Sequence, residues 1–139
     1  MSKALDRAVG TTAFGVDVAG YAAGRLAYPG ELFAILAERG GLAPGVRILE
    51  IGPGTGQATR ELLDAGAARV VAVEPDPELS AHLREWGDAR LEVANMAFGP
   101  VVPGDGGFDL IVAATAFHWL EAGPALADVR RLLKPGGHF

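Results

Sequence analysis

A chain of 139 residues, half of them hydrophobic, suits one domain that buries on the order of two-thirds of its unfolded surface. Seventeen acidic residues against twelve scattered Lys and Arg give a net charge of −5, which argues against nucleic-acid or anionic-membrane binding and leaves a small molecule as the expected ligand. Having no cysteine, the chain has no disulfide, thiolate metal site or thiol nucleophile; lacking a membrane-length apolar run or a signal peptide in MSKALDRAVG, it is expected to be cytoplasmic.

Residues 1–28 show little periodicity, but Phe14, Tyr21, Arg25 and Tyr28 punctuate an Ala/Gly-rich stretch. Pro29 suits the first turn of a helix with Leu32, Phe33, Ile35 and Leu36 on one face, stopped at Gly40-Gly41. Val46, Ile48, Leu49 and Ile51 then form a nearly continuous apolar run, the pattern of a buried parallel strand. It ends at Gly52-Pro53-Gly54-Thr55-Gly56, where backbone amides can approach a ligand. Ala58 to Ala65 reads as the following helix, with Gly66 placed to cap its C-terminus.

Arg69 to Val73 is a second strand ending at Glu74. Asp76 and Pro77 supply an N-cap and a first-turn proline for a helix running to about Trp86. Arg90 to Met96 reads as a short edge strand, and Pro100 to Gly107 as a turn-rich loop. Phe108 to Ala114 is a fourth strand, and Pro124 to Leu133 a helix with Leu126, Val129 and Leu133 on one face. Lys134-Pro135-Gly136-Gly137 reads as its stop, and His138-Phe139 as the opening of a fifth strand. Alternating strands and helices predict an α/β fold, a parallel sheet covered on both faces.

In such sheets ligands lie beyond the carboxyl ends of the strands. The Gly52–Gly56 loop, Glu74, Asn95-Met96-Ala97 and Thr115 to Trp119 gather there, and Tyr21 and Arg25 are candidates to join them. Glu74 follows Gly52 by 22 residues, the position from which a carboxylate accepts hydrogen bonds from both ribose hydroxyls. A dinucleotide fingerprint wants Gly-x-Gly-x-x-Gly/Ala, yet its last place falls on Gln57; the motif here is Gly-x-Gly-x-Gly behind an acid, Glu50. A carboxylate within a buried strand needs a partner, and a bound ammonium or backbone amides would supply one. His118 is either a general base or a packing and substrate-contact residue, and the second reading is preferred. His82, His118 and His138 are too far apart to suggest a metal site.

ILEIGPGTGQATRELLDAG, VVAVEPDPEL, FDLIVAATAFHWL and RRLLKPGG resemble, in order and spacing, the signature blocks of class I S-adenosylmethionine-dependent methyltransferases. The resemblance is to the small-molecule branch that includes trans-aconitate and ubiquinone-biosynthesis-type enzymes. DVAGYAAGRLAYPGELFAILAERGGL resembles that branch's N-terminal cap, so the similarity covers nearly all of residues 14–139.

The resemblance implies a Rossmann-like, doubly wound, mostly parallel sheet, here incomplete, with about four strands of a seven-stranded core. It implies one domain over 1–139, with 1–45 as cap and first helix and 46–139 as the cofactor-binding core, truncated before its C-terminal strands. It makes S-adenosyl-L-methionine the cofactor and a small molecule the methyl acceptor. Gly52, Gly54 and Gly56 would line the methionyl part and ribose, with Glu50 orienting the loop or the amino group. Glu74 would hold the ribose, Pro75 or Asp76 would border the adenine, and Asn95 and Met96 would lie at its other edge. Phe117 and His118 would approach the methyl group and acceptor.

Two other readings stand beside this one. A nicotinamide-dependent oxidoreductase is opposed by Gln57 and Glu50, and a non-catalytic, weakly cofactor-binding fragment is the third possibility. A truncated sheet is expected to expose Phe108–Ala114 as an apolar edge and to favour self-association through it.

Overall fold

The computed structural model describes residues 27–139; the candidates Phe14, Tyr21 and Arg25 lie outside the described residues. The described chain runs α1 (Gly30–Arg39), β1 (Arg47–Ile51), α2 (Gln57–Asp64), β2 (Arg69–Val73), α3 (Pro77–Arg84), β3 (Leu91–Ala94) and β4 (Phe108–Val112). A single 3-10 turn at Phe117–Trp119 precedes α4 (Ala122–Leu132), which leads into β5 (Leu133–His138).

The strands form one sheet in the order β3-β2-β1-β4-β5, and every neighbouring pair is parallel. From β1 the chain steps outward through β2 and β3, then returns across β1 to lay down β4. The direction of winding therefore reverses between β1 and β4, which opens a crevice at their carboxyl ends.

Burial explains why the central strands are so apolar. Along β1, side chains alternate between two cores: Ile48 joins Leu62, Leu63, Val70 and Leu110, whereas Leu49 and Ile51 join Val71, Val73, Phe108, Val129 and Leu132. A strand buried on both faces has no polar face to display. Phe33 and Leu36 of α1 pack on the first core, and Val129 and Leu132 of α4 belong to the second, so the sheet is covered on both sides. Each fully buried Leu or Ile contributes roughly 1.5–3 kcal/mol.

Local signals act as expected at several ends. After α2, the Gly66 amide bonds to Leu63 O at 3.0 Å and the Ala67 amide to Leu62 O at 3.4 Å. With Gly66 at φ 92°, this is a Schellman stop, and Ala67 and Leu62 share the first core. Asp76 caps α3, its Oδ1 accepting from the Glu78 and Leu79 amides at 2.9 and 3.2 Å, with Pro77 opening the helix.

Three differences from the expected elements stand out. Pro29 sits at the N-cap of α1 rather than inside its first turn, and only half of the expected apolar face packs inward. Leu32 and Ile35 are 38% and 55% exposed among the described residues. More consequential is β5. Leu133 leaves α4 directly in extended conformation, and Lys134 to Gly137, expected as a stop, belong to the strand.

Phe108 pairs with Leu133 and Leu110 with His138, with a register shift between them. Gly136 at φ 80° lies within the irregular stretch. The Lys134 ammonium pairs with the Asp109 carboxylate beside this ladder. The described sheet thus has five strands rather than about four, and β5 occupies the outer side of β4. The expectation that the fourth strand is left as an edge for self-association is corrected accordingly.

Candidate functional site

The site begins where β1 ends. Gly52, Gly54 and Gly56 have φ of 65°, 61° and 92°, a left-handed region that side chains resist. Two of these positions also exclude a side chain for packing reasons. A Cβ on Gly52 would stand 2.7 Å from the Ala116 Cβ, and one on Gly56 would stand 2.3 Å from the Trp86 ring and 2.7 Å from Leu83. The loop is thereby pressed between the β4 turn and the end of α3. Arg60 covers the outer face of Trp86, its guanidinium carbon 4.0 Å from the ring centroid.

Glu74, at the end of β2, faces the same loop and is 4% exposed. Its Oε2 accepts from the Gly54 amide at 3.1 Å and its Oε1 from the Asp76 amide at 3.0 Å. Burial raises its pKa above the usual value. The two amides oppose that shift, and the Asp76 carboxylate adds to it. A carboxylate offers about four acceptor positions, so two remain for hydroxyl donors.

The Glu74 carbonyl is equally engaged. It accepts from Asn95 Nδ2 at 2.9 Å, Ser80 Oγ at 3.0 Å and the Met96 amide at 3.1 Å. Asn95 also donates to Pro75 O at 3.0 Å. Asn95 and Met96 therefore brace the strand end that carries Glu74.

Glu50 is 1% exposed in the middle of β1 and has the partner its burial demands. Within the chain that partner is the Thr59 hydroxyl of α2 rather than backbone amides, donating to Oε2 at 2.6 Å. Burial pushes the Glu50 pKa up to about 7, the Thr59 hydrogen bond pulls it down, and the Glu74 charge pushes it up further.

On the β4 side, Thr115 has φ 54°, unusual for a β-branched residue. Its Oγ1 lies 2.9 Å from the Tyr28 hydroxyl, which donates to Ala114 O at 3.2 Å. Phe117 packs on Phe139 with ring centroids 5.5 Å apart, and the exposed His118 leans on Trp119 at 4.8 Å. No group of three or more His, Cys, Asp or Glu among the described residues is arranged to hold a metal.

A crevice at a switch point, a three-glycine loop and a buried strand-end acid match a known domain. The methyltransferase domain family model aligns with residues 48–137. The chain belongs to the methyltransferase domain family. That family agrees with the class I, S-adenosylmethionine-dependent resemblance carried by the sequence blocks.

An uncharacterized methyltransferase of Mycobacterium tuberculosis H37Rv is 36% identical to this methyltransferase domain over 129 residues, 91% of this chain and 49% of the relative. The small-subunit ribosomal RNA methyltransferase A of Deinococcus radiodurans is 46% identical over 70 residues, 43% of this chain and 24% of that enzyme. The crystal structure of an S-adenosylmethionine-dependent methyltransferase from Mesorhizobium loti superposes with a TM-score of 0.63 at 27% identity, covering 77% of this chain and 50% of that one. The chain spans about half the length of the first of these relatives.

Of the residues singled out from sequence, the methyltransferase domain brings Glu50, Gly52, Gly54, Gly56, Glu74, Pro75, Asn95 and Met96 to the ends of β1, β2 and β3. Phe117 and His118 follow β4. Two residues gain weight only from the structure. Thr59 is an ordinary helix residue until α2 is laid over β1, and Tyr28 meets Thr115 from 87 positions away. The aromatic-proline pair Tyr28-Pro29 was the one local hint of the latter.

Proposed function

We propose that this domain binds S-adenosylmethionine across the carboxyl ends of β1 and β2 and delivers its methyl group to a small-molecule acceptor beside the β4 turn. The observation that carries the reading is Glu74: a buried carboxylate at the end of β2, fixed by the Gly54 and Asp76 amides beside the glycine loop. On this reading residues 46–139 are the cofactor-binding core and residues 1–45 its cap.

The cofactor supplies an electrophilic methyl group on a sulfonium. The protein's share is placement, since an in-line displacement gains most from alignment of its partners. Glu74 accepts from the ribose hydroxyls, and the backbone of Gly52, Gly54 and Gly56 lies against the ribose and methionyl part. Glu50 keeps α2 and the loop in register through Thr59. Pro75 borders the adenine, with Asn95 and Met96 holding its other edge. Tyr21 and Arg25, outside the described residues, stay candidate cofactor contacts on the strength of the sequence resemblance alone. Phe117 and His118 face the acceptor, His118 as a contact rather than a base.

The acidic balance of the chain, −5 with no basic cluster, favours a small acceptor over RNA. The ribosomal RNA relative aligns over 43% of this chain only.

Calorimetric titration with S-adenosylhomocysteine and with NAD tests the cofactor site. Micromolar binding of the first without the second is expected, and the reverse would overturn the reading. Transfer of a labelled methyl group to purified ribosomal RNA, with none to a small-molecule fraction, would overturn the acceptor class.

A further inference from the structure

The geometry points to Tyr28 as a positioning residue that clamps the left-handed turn at Thr115 and so fixes the acceptor-side turn, Phe117–Trp119, against the glycine loop. The clamp rests on the cofactor placement proposed above for its purpose, though not for its existence.

Four observations form one chain of contact. The Tyr28 hydroxyl donates to Ala114 O at 3.2 Å and lies 2.9 Å from Thr115 Oγ1. A phenol has a single proton, so with Ala114 O as its acceptor the Thr115 hydroxyl is the donor to Tyr28. The two bonds together grip the backbone on one side of Thr115 and its side chain on the other. Thr115 itself is held at φ 54°, a conformation a β-branched residue keeps only when its surroundings impose it.

What the turn achieves is visible one residue on. Ala116 is delivered onto Gly52, so closely that a Cβ there would stand 2.7 Å from its own. From Ala116 the chain enters the 3-10 turn, the Trp119 amide bonding to Ala116 O at 3.1 Å and the Leu120 amide to Phe117 O at 3.0 Å. Releasing Thr115 to an ordinary φ would swing Ala116 off Gly52 and re-aim Phe117 and His118. Tyr28 immediately precedes Pro29, the N-cap of α1, which anchors the phenol's backbone to a helix packed on the sheet. The clamp therefore links the N-terminal side of the fold to the two loops that flank the crevice.

The test uses two substitutions and their combination in the full chain, read by hydrogen exchange and by S-adenosylhomocysteine titration. Tyr28→Phe keeps the ring and removes the hydroxyl. It should speed exchange of the Trp119 and Leu120 amides about tenfold, weaken S-adenosylhomocysteine about threefold to tenfold, and leave β1 and β2 amides as they were. Thr115→Gly removes the strain, because glycine adopts this φ freely. Adding it to Tyr28→Phe should restore both exchange and affinity, a rescue that a merely structural contact would not show.

Unchanged exchange in Tyr28→Phe would overturn the clamp, as would failure of Thr115→Gly to rescue. Faster exchange with unchanged affinity would overturn the positioning role. Absence of S-adenosylhomocysteine binding by the unsubstituted protein would instead overturn the cofactor reading, and the exchange data would still judge the clamp.

Discussion

Thr59 Oγ1 donates a 2.6 Å hydrogen bond to Glu50 Oε2, tying the first turn of α2 to the middle strand of the sheet inside the protein. An acid so placed stays neutral more readily than one in water, chiefly because burial penalises its charged form. The direction of the pH effect follows. Between pH 4.5 and about 7 the folded chain holds this proton and the unfolded chain does not, so stability falls as pH rises through that window and levels above it. The loss is expected to reach up to roughly 3 kcal/mol. Urea midpoints at pH 5 and pH 8 should show it, and Glu50→Gln should remove the slope. Thr59→Val, which leaves the acid without its hydroxyl donor, should cost roughly 1–3 kcal/mol.

Glu74 gives the most direct test of the ribose assignment. Replacing it by Ala should weaken S-adenosylmethionine binding by roughly 1.5–3 kcal/mol, the value of hydrogen bonds to a charged group. Because Glu74 also accepts from Gly54 and Asp76, Glu74→Gln serves as a companion that keeps one oxygen acceptor. Calorimetry with a parallel circular dichroism melt separates lost binding from lost fold. An affinity that survives Glu74→Ala would remove the ribose from this carboxylate.

The glycines divide into those hemmed in and those in the open. Gly56→Ala forces a Cβ to 2.3 Å from Trp86 at φ 92°. Combined overpacking and backbone strain should cost roughly 2–4 kcal/mol. Gly87, with φ 63° and nothing within 4 Å, carries the backbone term alone, so Gly87→Ala should cost about 1 kcal/mol. Equal losses in denaturant melts would show that the Trp86 contact is not what demands glycine.

Asp109 anchors the other end of β4. The Arg47 amide, bonded to it at 2.8 Å, and the Lys134 ammonium hold its carboxyl below the usual range. A depressed acid stabilises the fold above its unfolded pKa of about 3.9 and loses that contribution as pH falls through the folded value. Asp109→Asn should therefore be less stable than the unsubstituted chain at pH 7. The gap should narrow steadily under acid titration below about pH 4, and a gap independent of pH would rule out the carboxylate's charge as its source.

How much of this could be read in advance varied with how local the cause was. β1 and β2 were legible because strands buried on both faces leave continuous apolar runs, and Arg69–Val73 matches its expected bounds. Asp76-Pro77 and Gly66 were legible because caps are written in adjacent residues. β5 was legible as a strand near His138 but not in its start at Leu133, since Lys134-Pro135-Gly136-Gly137 carries every local signal for a stop, and pairing with β4 overrides it. Within the site, Glu50 and Glu74 could be picked out by type and spacing. Thr59 and Tyr28 could not, because their importance arises from packing of α2 over β1 and from a contact 87 residues long.

The direct passage from α4 into β5 has a mechanical consequence. Leu132 ends the helix and Leu133 is already paired in the sheet, so no slack separates them. Helix and strand are geared: a slide of α4 along its axis must drag the register of β5, and a slip of β5 must turn or lift α4. One residue inserted at this joint would invert which side chains of β5 face the core. The same insertion between Pro100 and Gly107, a stretch without helix or strand, would be taken up as a wider loop. Tolerance to length change should therefore differ sharply between two connections that both abut β4.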